Sequence, residues 1–138
     1  MVENYGIRLE TNGFGEIFDI TDKVEESVKK SGITNGMVNV FVPGSTGGIT
    51  TIEYEPGLRK DMPELLEKLI PSNRAYEHDK TWGDGNGFSH LRAALIGPSL
   101  TAPVAAGTVR HGTWQQIVFM DFDNRARNRE LIITVMGE

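Results

Sequence analysis

Two of the three histidines in the chain, His78 and His90, stand in one stretch from Tyr76 to His90 that also carries Glu77, Asp79, Asp84 and Asn86. Imidazole titrates near neutral pH, so two of them in one site can take up and return a proton. Neutral imidazoles beside carboxylates also suit a divalent ion such as zinc, magnesium or manganese. The twelve-residue spacing is not a local metal motif. The plainer alternative is a His90 that packs against its helix and a His78 on a surface loop. Gly83, Gly85 and Gly87 favour a site, because packing alone does not explain so long a glycine-rich connection. His78 and His90 are therefore candidate catalytic residues and candidate metal ligands.

Other side chains could join them. Glu53 is a candidate base or ligand if its carboxylate points toward the loops rather than to solvent. Pro43-Gly44-Ser45-Thr46-Gly47-Gly48 could offer backbone amides and the Ser45 and Thr46 hydroxyls to an anion, as concave amide nests do. It lacks the Lys-Ser/Thr ending of a Walker A loop and could equally be a wide turn. Asn86 and Gln115 complete the candidate ligand-binding set with Ser45 and Thr46, although a glutamine that satisfies nearby backbone serves Gln115 as well. His111 has no assigned role. Arg125, Arg127 and Arg129 would share one strand face and could hold a phosphate or carboxylate, but a charged edge strand that resists aggregation is the simpler reading. No Ser-His-Asp order or nucleophile elbow is present.

The elements that must position these residues follow from periodicity. Residues 7–20 read as an opening hairpin broken at Asn12-Gly13, and Thr21-Asp22 starts a short helix that Gly32 stops. Residues 37–42 and 49–54 read as strands. Asp61 and Glu64 form a capping box with Pro63 in the first turn, and Leu65, Leu66, Leu69 and Ile70 make one apolar face before Pro71. Residues 72–87 show no apolar period, and Ser89 caps a helical segment with His90 in its first turn. From Leu100 the chain reads as a meander, with strands at 113–122 and 130–136 and a turn at Asp123-Asn124-Arg125. The fold class is α+β, mostly antiparallel β-sandwich with two or three short helices.

At 138 residues the chain is about one domain long. Cysteine is absent, which removes disulfides, thiolate metal sites and cysteine nucleophiles and agrees with a cytoplasmic setting. A net charge of −5 disfavours non-specific nucleic-acid binding, and no apolar run suits a bilayer. A small molecule or a protein is the expected partner.

Taken in order, Val40-Phe41-Val42-Pro43 with Ser45-Thr46, Thr50 to Glu53, Tyr76 to His78, Gly85-Asn86-Gly87 through His90-Leu91-Arg92-Ala93, Leu95 to Ser99, and Gly112-Thr113-Trp114-Gln115-Gln116 resemble the YjbQ-type family. Secondary thiamine-phosphate synthase activity is ascribed to that family. The resemblance runs from about residue 36 to the C-terminus. It implies a sandwich of β-sheets, a homotrimer, and a polar histidine site near subunit boundaries that takes a small phosphorylated metabolite. His78 and His90 match two family histidines, and Glu53 matches the acidic residue that ends the Thr-x-x-Glu strand. Gly44 stands where many members have a histidine, and Phe88 where some have another, so this chain departs from a three-histidine metal site. The implied reaction condenses an aminopyrimidine methyl diphosphate with a thiazole phosphate. A non-enzymatic metal- or metabolite-binding trimer and a metal-dependent hydrolase are the alternatives.

Overall fold

A computed structural model describes residues 1–138. The chain runs β1 (Val2–Thr11), β2 (Glu16–Asp19), α1 (Thr21–Ser31), β3 (Asn35–Phe41), β4 (Gly47–Ile52), α2 (Pro56–Leu69), α3 (Glu77–Trp82), α4 (Gly87–Ile96), β5 (Ser99–Ala105), β6 (Thr108–Val109), β7 (Gln116–Asp121) and β8 (Arg127–Gly137). All strand pairs are antiparallel. They form a five-stranded sheet in the order β1-β8-β3-β5-β6 and a three-stranded sheet in the order β2-β7-β4. The α+β sandwich expected from the sequence is present, with four helices. None is long and apolar enough to cross a membrane.

β7 explains why the run Ile117–Met120 is apolar on both faces. Ile117 and Phe119 face the larger sheet and α1, among Val24, Val28, Ile49 and Ile133. Val118, Met120 and Phe122 face the other way, against Leu66 of α2 and Ala93 of α4. A strand covered on both sides gains from apolar residues at every position, so the alternation of a half-exposed strand disappears.

The residues at 7–20 do not form a hairpin. β1 pairs with β8 in one sheet and β2 with β7 in the other, so Asn12–Gly15 is a corner between sheets. Gly13 has φ 78°, and a Cβ there would lie 2.5 Å from the Asp123 carbonyl oxygen, so only glycine fits. The C-terminal meander is corrected in the same way, since β7 leaves the sheet of β5 and β8 for the smaller one. The chain also changes sheets between β3 and β4, through Val42–Thr46, and between β7 and β8, through Phe122–Ala126. These three corners gather at one end of the sandwich, because Thr11 pairs with Arg127 while Glu16 and Gly47 both pair with Asp121.

Two helix starts also differ from expectation. α2 begins at Pro56 rather than at Asp61: the Glu55 carboxylate accepts the Gly57 and Leu58 N–H groups, and Pro56 takes the first turn, where no N–H is needed. Those backbone bonds hold the Glu55 carboxyl below its usual range. Pro63 consequently sits inside the helix. Of its apolar face only Leu66 is buried, with Leu65 and Leu69 exposed. α4 begins at Gly87, which leaves Ser89 inside the helix, where its hydroxyl donates to the Phe122 carbonyl.

Candidate functional site

The stretch without apolar period holds the helix α3, whose six residues bury none of their side chains. Local hydrogen bonds order it instead. The Asp79 carboxylate accepts the Tyr76 N–H and the Gly87 N–H, both at 3.0 Å, and so buckles the start of α3 to the start of α4. These two bonds, in that order, hold its carboxyl below the usual range. Asp79 carries no role in the sequence reading, although an aspartate three residues after Tyr76 is the reciprocal half of a capping arrangement.

The buckle brings the imidazoles of His78 on α3 and His90 on α4 together, with ring centroids 4.3 Å apart and planes tilted by 48°. His78 Nε2 lies 3.7 Å from an Asp84 carboxylate oxygen. His90 makes no side-chain hydrogen bond within the chain, so both of its nitrogens remain available to a substrate. Burial first, and then the neighbouring His78, pushes the His90 pKa down, against an opposing pull from Asp123 and Asp84. His90 is thus held as a neutral base at neutral pH.

Asn86 stands between two carboxylates. One orientation of its amide donates to Asp123 at 3.3 Å. Turned over, the same group donates to Asp84 at 2.9 Å and to His78 Nε2 at 3.2 Å. The second orientation is favoured, because Asp123 already accepts from Arg127, Thr46 and the Asn124 N–H.

The imidazoles open into a pocket of about 370 Å³, whose walls include Gly44, Ser45, Thr46, Trp82, Asp84 and Asn86 together with Arg127 and Arg129. The three corners are tied together by two ion pairs on buried aspartates. Asp121 and Asp123 are fully buried. Arg129 grips Asp121 through Nε at 2.8 Å and Nη2 at 2.9 Å, and its Nη2 also donates to the Thr46 hydroxyl at 2.7 Å. Arg127 pairs with Asp123 at 2.6 Å. Thr11 Oγ1 donates to Asp121 at 2.6 Å and Thr46 Oγ1 to Asp123 at 3.1 Å. For Asp123, burial pushes the pKa up, but the Asn124 N–H, Arg127 and the other donors outweigh it and the carboxyl stays below its usual range.

The two ion pairs, rather than a charged edge, explain Arg127 and Arg129. In the part of β8 that carries them, which pairs with β1 alone, they share the inward face with Leu131 and Ile133 and meet the buried carboxylates. Arg125 falls in the preceding turn and is exposed. Asp121 and Asp123 are the residues the sequence reading missed. Aspartates that end a continuous apolar strand, followed by arginines at alternate positions, were the available signal.

The other candidates divide. Ser45, Thr46 and Asn86 line the pocket with the two histidines. Glu53 and Gln115 do not. Gly47 pairs with Asp121 but Ile52 pairs with Gln116, so Glu53 and Gln115 lie at the far end of β4 and β7, roughly 17 Å or more along the strands. There Glu53 is exposed, and Gln115 bonds Thr51 and the Gly112 N–H. His111 sits apart, 3.7 Å from Glu25. Phe88 is buried beneath Arg92 and does not line the pocket, whereas Gly44 does. Nowhere do three His, Asp or Glu side chains converge closely enough to hold a metal. The donor set of two imidazoles and one half-exposed aspartate does not fit a closed divalent site.

The family described as UPF0047 protein YjbQ-like matches residues 5–138. The chain belongs to the YjbQ family. A UPF0047 protein of Methanothermobacter thermautotrophicus is 41% identical over 130 residues, covering 94% of this chain and 89% of that one. One of Archaeoglobus fulgidus is 39% identical, covering 94% and 98%. The crystal structure of a YbjQ-like protein from Sulfolobus solfataricus superposes with a TM-score of 0.90 at 32% identity over the whole of both chains. The likeness therefore extends over the whole chain of this YjbQ-family protein.

Proposed function

We propose that this YjbQ-family protein is an enzyme in which His78 and His90 handle a proton on a small phosphorylated metabolite. The observation that carries this reading is the tilted imidazole pair at the mouth of the pocket, with one member free of intrachain hydrogen bonds. A packed or capping histidine would have its nitrogens engaged. Asp84 and Asn86 beside His78 supply polar partners that orient its imidazole.

Formation of thiamine phosphate is the reaction to assay first. The thiazole nitrogen forms a bond to the pyrimidine methylene carbon as the bond from that carbon to the diphosphate oxygen breaks. Neutral His90 accepts a proton from the pyrimidine amino group as pyrophosphate leaves with the bonding electrons, and returns it once the carbon–nitrogen bond has formed; a pocket that stabilises the charge of the leaving group accelerates the step. The test measures thiamine phosphate made from the two precursors by wild type, His78→Ala and His90→Ala. Both variants are expected to lose rate. Equal rates in all three would remove the histidines from the reaction, and binding of the precursors without turnover would favour a non-enzymatic binding protein.

The same proposal includes assembly as a homotrimer, as the family resemblance implies. Support comes from the outer face of the larger sheet, where Met37, Phe41, Ile132 and Met136 are exposed in adjoining rows with Asn39 and Thr134 and no charge among them. Uncharged rows of this kind suit burial against another copy. Light scattering is expected to give three subunits for wild type and fewer for Ile132→Asp.

A further inference from the structure

The Gly44–Thr46 part of the pocket lining carries hydrogen-bond donors that the chain does not use. The N–H groups of Gly44, Ser45 and Thr46 make no hydrogen bond within the chain, and neither does the Ser45 hydroxyl. Three successive amides without intrachain partners, in residues that line one pocket, supply partial positive charge for an anion. A second, independent feature points the same way. The Arg129 side chain is about nine-tenths buried and spends Nε and Nη2 on Asp121 and Thr46, but its Nη1 has no partner in the chain. That nitrogen is directed at Gly44, where an added Cβ would come within 3.3 Å of it. Gly44 itself has φ 146°, which an L side chain rarely adopts. Glycine at this position thus keeps the guanidinium edge and the amides open to the same space.

From these groups we infer that Gly44–Thr46 and Arg129 form a phosphoryl subsite, which seats the phosphate or terminal diphosphate group of the substrate while His78 and His90 act on the remainder. The inference rests on the proposed acid–base reading of the pocket and adds which residues seat the phosphoryl group. Several donors spread over an arc suit the three terminal oxygens of a tetrahedral phosphoryl group, whereas a carboxylate offers two in one plane. The locked Arg129 also favours phosphate. Its position is fixed by Asp121 before the ligand arrives, so little side-chain entropy is lost on binding.

The probe is inorganic phosphate, kept largely as the dianion and titrated into the full chain at constant ionic strength, with acetate as comparator. Amide correlation spectra report where it binds. The expected result is saturable shifts of the Ser45 and Thr46 amides with phosphate and much weaker ones with acetate. Ser45→Asp places a negative charge on the arc at an exposed side chain without intrachain contacts, so the fold is retained, and affinity is expected to fall by about tenfold or more. His78→Ala and His90→Ala are expected to keep phosphate binding. Phosphate shifts confined to other residues, or equal affinity in Ser45→Asp, overturn the subsite. Intact phosphate binding with histidine variants of unchanged rate would leave the subsite standing and remove the acid–base reading.

Discussion

Replacing His90 with alanine is expected to lower kcat/KM by about 10²–10⁴-fold, the usual contribution of a positioned acid or base. The pH profile separates this role from a merely structural one. His90 lies below the ordinary imidazole value of 6.5, chiefly through burial and secondarily through repulsion from His78. A reaction that needs neutral His90 rises with pH as that group loses its proton, so the acid limb of kcat/KM falls below 6.5. In His78→Ala the like-charge neighbour is gone and the site is more open to water, so the acid limb of the residual activity moves up toward 6.5. Imidazole resonances should report the same upward shift of His90 without any substrate. The stability effect has a defined sign too. Because the folded pKa is depressed, the unfolded chain binds the proton more readily, and stability is lost as pH falls from about 6.5 through the folded value. An acid limb that does not move in His78→Ala would separate the two imidazoles functionally, despite their contact.

The histidine pair was legible in the sequence because glycines and carboxylates surround it, but the way the chain holds it was not. Local pattern finds α1 well, since Ile20, Val24 and Val28 repeat at helical spacing and Gly32 stops it in a left-handed conformation. It fails at α3, whose six residues bury nothing and are fixed by the Asp79 buckle, a bond between side chain and backbone that leaves no periodic trace. The three sheet-changing corners fail for a related reason. Asn12-Gly13 has the composition of a hairpin turn, and only the long-range partners of β1 and β2, which are β8 and β7, make it a corner. Glu53 shows the limit of motif matching. Its strand is present where expected, but antiparallel register carries position 53 away from the end where Thr46 meets the histidines.

Asp121→Ala is expected to cost about 3–5 kcal/mol, because it leaves the nine-tenths buried Arg129 without its counter-charge. Thr11 would lose its 2.6 Å bond and keep only the 3.3 Å one to the Arg127 carbonyl, and the Asp123 N–H, which bonds Asp121 at 3.0 Å, would lose its acceptor. Against a total stability of about 5–15 kcal/mol for a domain of this kind, the loss should appear as a large fall in the urea midpoint. A paired substitution then divides stability from function. Asp121→Leu with Arg129→Met replaces the ion pair by apolar side chains and is expected to recover much of the lost stability, since desolvation of both charges is avoided. The same double variant removes the guanidinium edge that faces Gly44, so phosphate binding at Ser45 and Thr46 should be lost. If the double variant instead recovers stability and still binds phosphate as wild type does, Arg129 serves the fold alone. Recovery of stability without phosphate binding means that the buried pair is kept for the pocket it holds open, at a site where an apolar core would fold as well.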